Sequence, residues 1–215
     1  LCCFLCYIGY HMFEYSFLIK MAMGLVLEAD SIYYSIDGHE ILKGAYLTCK
    51  QGEIVGLLGR NGCGKSTMLE IIFGTRRGAH SFVRIGGKVY TGKAFRSGKL
   101  RMQPQFDYIP KGMRISIILW MEGFCKKDIK DELILEIYDC KVGELSGGLL
   151  KYFQIFIFLQ SPVPFIILDE PFAGLSPVAV EHVVGLLKEA KKTKGIILSD
   201  HNYEAVDKIT DKLMY

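Results

Sequence analysis

The chain has 215 residues, of which 50% are hydrophobic and 23% charged, with a formal net charge of +3. That length suits one large domain or a domain with a sub-lobe, and that composition can bury a sizeable core. The charge is too mild to point to nucleic acid, because no dense basic stripe accompanies it.

Residues Leu1 to Lys20 are aromatic, apolar and cysteine-rich, interrupted by His11, Glu14 and Lys20. No unbroken apolar run is long enough to span a bilayer. A basic segment ahead of the apolar part and a small-residue cleavage site are both missing, so a signal peptide fits poorly. Cys3-Phe4-Leu5-Cys6 has no second cysteine pair or close histidine pair to complete a metal site. The domain pattern begins at Leu25. Residues 1–22 are therefore expected to be an extension, with translation starting at Met21 or Met23, and residues 23–215 to be the working domain.

Leu25 to Ala29 and Ser31 to Ser35 read as a strand region, Asp37-Gly38 as a turn, and Ala45 to Cys49 as a second strand. Together they predict a small antiparallel sheet. An aromatic here could stack on an adenine ring; Tyr34 is the candidate, with Ile36 in a competing register, and ordinary strand packing is the plainer reading of either.

Glu53 to Leu58 is a short apolar run that reads as a buried strand. It leads into Gly59-Arg60-Asn61-Gly62-Cys63-Gly64-Lys65-Ser66-Thr67, which fits the phosphate-binding loop pattern G-x-x-x-x-G-K-[ST], and an apolar-rich helix follows. Glycines let the backbone turn its N–H groups toward phosphate oxygens, and the helix N-terminus adds its positive dipole end. Lys65 can reach the β- and γ-phosphates, and the Ser66 hydroxyl can hold Mg²⁺. A nucleoside triphosphate is the first functional inference. Work on cytosolic ATP also implies reduced thiols, so the 7 cysteines are expected to be free.

Phe82 to Tyr90 reads as two short strands around Gly86-Gly87. Leu100 to Gln105 is strand-like and ends in a loop. A loop glutamine such as Gln105 can coordinate Mg²⁺ or position water through its carbonyl oxygen, although on the residues alone a solvated loop side chain is preferred. Asp107 to Gly143 carries helical spacing, with Lys126, Lys127 and their charged neighbours as a solvated face; it reads as an inserted helical sub-lobe, about 106–145.

Leu145-Ser146-Gly147-Gly148 precedes a helix from Leu149 to Gln160, giving a second helix N-terminus ready for an anion, or simply an N-cap. Phe165 to Glu170 is four hydrophobic residues followed by two acids, the way a buried parallel strand delivers carboxylates to a nucleotide's edge. Asp169 would hold Mg²⁺ through water, and Glu170 would orient or deprotonate the attacking water. Ser176-Pro177 starts another helix with Val180, Val183, Val184, Leu187 and Ala190 on its apolar face. Ile196 to Leu198 is a last strand, and His201 beyond it lies at the site edge, within reach of a γ-phosphate.

The phosphate loop, Gln105, Leu145-Ser146-Gly147-Gly148, Ile167-Leu168-Asp169-Glu170-Pro171 and His201 occur in the order of the ATP-binding cassette ATPases, which the chain resembles from about Leu25 onward. The resemblance implies an α/β fold with a RecA-like phosphate-loop core, an antiparallel sub-sheet and an inserted helical sub-lobe. It implies two cassettes, identical or different, clamping two ATP molecules head to tail, each between the phosphate loop of one and the Leu-Ser-Gly-Gly signature of the other. Carried over, Glu170 is the general base, His201 the switch histidine, and Gln105 the loop glutamine at the membrane-subunit contact. The implied protein hydrolyses ATP to drive separate membrane subunits, is peripheral at the cytoplasmic face of the membrane, and has no nucleic-acid partner. Three positions depart from the family pattern. Leu149 stands for glutamine, Lys151 lies near an arginine position, and Ser176 replaces an aspartate, which bears on coupling across the dimer. A soluble cassette ATPase acting on ribosomes or nucleic acid, or a non-hydrolysing partner cassette, are the competing readings.

Overall fold

The computed structural model describes residues 24–103 and 109–214. The expectations for residues 1–22 and for Gln105 lie outside them. The centre is a five-stranded parallel sheet in the order β6-β7-β8-β3-β9, built from β3 (Ile54–Leu57), β6 (Leu100–Gln103), β7 (Phe165–Asp169), β8 (Gly195–Ser199) and β9 (Lys212–Met214). Every residue of β3, β7 and β8 is buried. Covering both faces is what a parallel sheet needs, and it explains why these strands read as unbroken apolar runs. Alternate side chains serve two separate cores. Ile54, Ile166, Leu168, Ile196 and Leu198 face one; Val55, Phe165, Ile167 and Ile197 face the other.

The first core is covered by α4 (Gly147–Gln160) and α5 (Pro177–Lys191). Leu150 to Leu159 are all buried, Lys151 and Gln154 included, so α4 lies inside the molecule. The second core is filled by α1 (Lys65–Phe73), against which the antiparallel sheet packs. That sheet runs β2-β1-β4-β5, from β1 (Val26–Ile36), β2 (His39–Lys50), β4 (His80–Ile85) and β5 (Lys88–Tyr90). β1 is one long strand with register irregularities at Ala29/Ile32, Ile32/Tyr34 and Tyr34/Ser35, where two shorter pieces are expected from sequence.

The segment read as a helical sub-lobe forms α2 (Ile115–Met121) and α3 (Glu132–Glu136), joined by turns. Ile115, Leu119 and Ile134 anchor it in the first core. The last helix, α6 (Tyr203–Asp207), begins at Asn202, whose Oδ1 accepts from the Ala205 amide at 3.1 Å. No helix among the described residues is long and apolar enough to cross a membrane. The four cysteines among them, Cys49, Cys63, Cys125 and Cys140, are free.

Candidate functional site

The site lies at the C-terminal ends of β3, β7 and β8, the edge where parallel sheets bind ligands. β3 ends at Leu57, and the loop from Gly59 to Gly64 carries the chain into α1. Gly62 (φ 78°) and Gly64 (φ 99°) are both left-handed, a region costly for any residue with a side chain. A Cβ on Gly64 would stand 2.8 Å from Ile41 Cγ2, so only glycine lets β2 close on the loop. The loop wraps a cleft of ≈ 490 Å³ whose lining includes Asn61, Gly62, Gly64, Lys65, Ser66 and Thr67. Lys65 Nζ donates to the carbonyls of Gly59 (2.8 Å) and Arg60 (3.1 Å), which holds the cation over the loop.

Glu170 and His201 complete the far wall of the same cleft. His201 Nε2 lies 3.0 Å from Glu170 Oε1. Glu170 has φ 52°, a left-handed conformation unusual for a glutamate, and its amide donates to the Ser199 carbonyl at 2.8 Å. Strain of this kind persists where surroundings enforce it and clusters at functional sites. Asp200 supplies part of that enforcement. It is buried, and its Oδ2 accepts from the Phe172 amide at 2.7 Å while Oδ1 accepts from the Asn202 amide at 2.8 Å. One carboxylate thus ties the turn after Glu170 to the turn after His201.

Asp169, the residue before Glu170, is buried. Its Oδ1 accepts from Ser66 Oγ at 3.2 Å and from Ser199 Oγ at 2.5 Å. A carboxylate and a hydroxyl meeting at the foot of a phosphate loop form the hard-oxygen donor set that suits Mg²⁺. Left-handed glycines, a helix N-terminus and a lysine suit the polyphosphate. The residues present therefore fit a nucleoside triphosphate with Mg²⁺.

Several sequence expectations are placed differently. Tyr34 does not line the cleft. Its ring packs on the second core, and its hydroxyl accepts from Arg76 Nη1 at 2.8 Å. Ile36 and Ile41 line the cleft instead. The register shift between Tyr34 and Ser35 is the reason, since it frees Ile36 from the face that Tyr34 occupies. Cys63 belongs to the loop but faces a different cavity, of ≈ 200 Å³, with Leu57, Met68 and Met214. Gly59 is also absent from the cleft's lining; a Cβ there would lie 2.7 Å from Cys63 Sγ.

Ser146 and Gly148 line neither of these. They open on a third cleft, of ≈ 370 Å³, together with Leu149, Ser176 and His182. Ser146 caps α4, its Oγ accepting from the Leu149 amide at 3.3 Å, and Ser176 caps α5 in the same way through the Ala179 amide at 3.3 Å. The signature and the phosphate loop of one chain thus face different spaces, and Gly147 lines neither. Ser199 and Asp200 were not legible as site residues. The Ser199-Asp200-His201 run beyond an apolar strand is the one signal that could have suggested them.

The fold and cleft define a phosphate-loop nucleotide-binding protein. The sequence model of the ABC transporter family matches residues 42–173. Among curated relatives, the chain is 28% identical over 88% of its length to the probable metal transport system ATP-binding protein of Thermotoga maritima, covering 80% of it. It is 29% identical over 82% of its length to the lipopolysaccharide export system ATP-binding protein LptB of Haemophilus influenzae, covering 80%. It is 27% identical over 80% of its length to ABC transporter A family member 7 of Dictyostelium discoideum, but spans only 22% of that longer protein. An ATP-binding cassette of an ABC transporter in its ADP conformation superposes with a TM-score of 0.74 at 23% identity, covering 88% of this chain and 86% of that one. A bacterial Atm1-family ABC exporter with ATP bound superposes with 0.77 at 18% identity, covering 90% and 37%. The chain belongs to the ABC transporter family, and its fold is that of the family's ATPase cassette.

Proposed function

We infer that this chain binds and hydrolyses ATP and that hydrolysis drives transport through membrane subunits of an ABC transporter. The observation that carries this reading is the Glu170–His201 pair on the wall facing the phosphate loop, with Asp169 bonded to Ser66 beneath it. Amides of the loop and the N-terminus of α1 hold the phosphates, and Lys65 leaves its two loop carbonyls to pair with the terminal phosphates. Ser66 and Asp169 would hold Mg²⁺, which neutralises charge on the β- and γ-oxygens. Glu170 accepts a proton from the attacking water, or orients it, and His201, whose Nε2 lies 3.0 Å from Glu170 Oε1, turns to donate to the γ-phosphate. Ile36 and Ile41 give the base an apolar wall. Ser146 and Gly148, opening on a separate cleft, would complete the ATP site of a second cassette, and Gln105 would stand at the membrane-subunit contact.

Relatives of about this length bear ATP-binding protein names, which favours membrane subunits on separate chains. The A family relatives, of which this chain spans about a fifth, favour the second arrangement, a cassette within one longer chain. ATP turnover beside a Glu170→Gln variant tests the core of the reading. The variant should keep ATP affinity, lose roughly 10²–10⁴-fold in turnover and accumulate an ATP-bound dimer. Equal turnover in both proteins would remove Glu170 from the chemistry. A wild-type chain that binds ATP without hydrolysing it, alone or with a partner, would establish the non-hydrolysing alternative.

A further inference from the structure

Gln103 is the last residue of β6 and 1% exposed, yet neither its Oε1 nor its Nε2 meets a hydrogen-bond partner among the described residues. By contrast the buried Asp169, Ser199, Asp200 and Lys194 are each bonded. An unpaired buried amide is worse for stability than an apolar side chain of the same shape, so its presence asks for a role in another state.

The register of the fold says what it faces. Along β6, Leu100 and Met102 point into the second core, so Arg101 and Gln103 point the other way, toward α4. Arg101 confirms this, with its guanidinium 4.8 Å from the centre of the Phe158 ring on α4. α4 enters β7 through only residues 161–164, so it runs antiparallel to β7, and β6 is parallel to β7. Two residues onward from Arg101 is roughly 6.6 Å toward the C-terminal edge. Four residues back from Phe158 is about 6 Å in the same direction. Those steps bring Gln103 opposite Gln154, which is also 1% exposed. The two glutamines thus stand on facing elements, in a contact that Arg101 and Phe158 share. One stands beside Leu168, one residue before Asp169, and the other on the helix that Ser146 caps.

We propose that Gln103 is a positioning residue for ATP turnover. Its amide pairs with Gln154 in a second arrangement of α4 against β6, which bound ATP favours, and the described arrangement leaves it unpaired. The inference rests on the ATPase reading above. It gives the strand beside Asp169 and the signature helix one polar contact that exists in only part of the cycle. ATP can favour that arrangement only by the difference in how well it binds the two.

The test uses the full chain with Gln103→Met, the closest apolar shape, Gln103→Leu as a second variant, Gln154→Met, and the Gln103→Met/Gln154→Met double. Without nucleotide, Gln103→Met should raise the unfolding midpoint by about 3 °C. The further rise given by Mg²⁺ with a non-hydrolysable ATP analogue should shrink in both single variants and shrink no further in the double. Turnover should fall about fivefold in kcat with KM unchanged. A purely packing role would predict the opposite sign without nucleotide and no change in the analogue's effect. An analogue-induced rise equal to wild type, or effects that simply add, would overturn the proposal. Because the analogue arm needs no hydrolysis, it reads this contact separately from wild-type turnover, which tests the ATPase reading itself.

Discussion

At Glu170 the backbone and the side chain want different things. Its φ of 52° would suit glycine or asparagine, yet a carboxylate stands there, held by the Ser199 carbonyl and the turn that Asp200 fixes. Left-handed strain in a non-glycine residue costs on the order of 1–3 kcal/mol. Glu170→Gly should therefore raise stability, by about 1 kcal/mol after glycine's larger unfolded-state entropy is subtracted. It should at the same time abolish turnover. Urea unfolding beside an ATPase assay checks both, and a Glu170→Gly variant less stable than wild type would mean the conformation is not strained. Cys49 shows a residue with no such conflict: it is fully buried, and burial pushes its thiol well above the usual range, which keeps it inert.

Between α4 and β7 the chain turns within residues 161–164, and the joint is held by a lysine. Lys194 Nζ donates to the carbonyls of Ser161 (2.5 Å) and Val163 (3.0 Å) from a position 6% exposed. Burial lowers its pKa from 10.5 to about 8. Between those values the unfolded chain binds the extra proton and the folded chain does not, so this group makes stability rise with pH from about 8 to 10.5 and adds no slope below. Lys194→Met should flatten that rise by roughly 1–3 kcal/mol. The comparison is of urea midpoints for both proteins at pH 7.5 and pH 10. A parallel rise in both would mean that the titrating group is elsewhere. The helices on either side need no such device. α5 has Ser176 as N-cap with Pro177 at its first position, which is why its start was legible from sequence.

The molecule as a whole is one parallel sheet between two cores, with the antiparallel sheet closing the second. Its first described tie is at Leu25, whose amide donates to Gln51 Oε1 at 3.3 Å and whose carbonyl accepts from the Gln51 amide at 3.1 Å. Among the described residues, both cores are built from Leu25 onward, and we propose that residues 23–215 are the working cassette. A chain beginning at Met23 is expected to unfold at the same temperature as the full chain and to bind ATP equally well. A loss in either would give residues 1–22 a structural part.

The sequence by itself determined the class of chemistry and the order of the elements. Phosphate binding needs contiguous residues, and Gly62, Gly64, Lys65 and Ser66 act through a loop that is local in the chain. The four hydrophobics before Asp169 and the apolar run before Asp200 were legible for the same reason, since strands buried on both faces leave uninterrupted patterns. Only tertiary structure decided which groups share a space. A register shift within β1 put Ile36 in the cleft and turned Tyr34 toward Arg76. Strand pairing brought Ser199 onto the two acids and Asp200 onto the Phe172 amide after them, and the packing of α4 on β6 buried Gln103 without a partner among the described residues. These depend on registers between segments far apart in the chain, and in a period-two structure a shift of one residue moves a side chain to the opposite face.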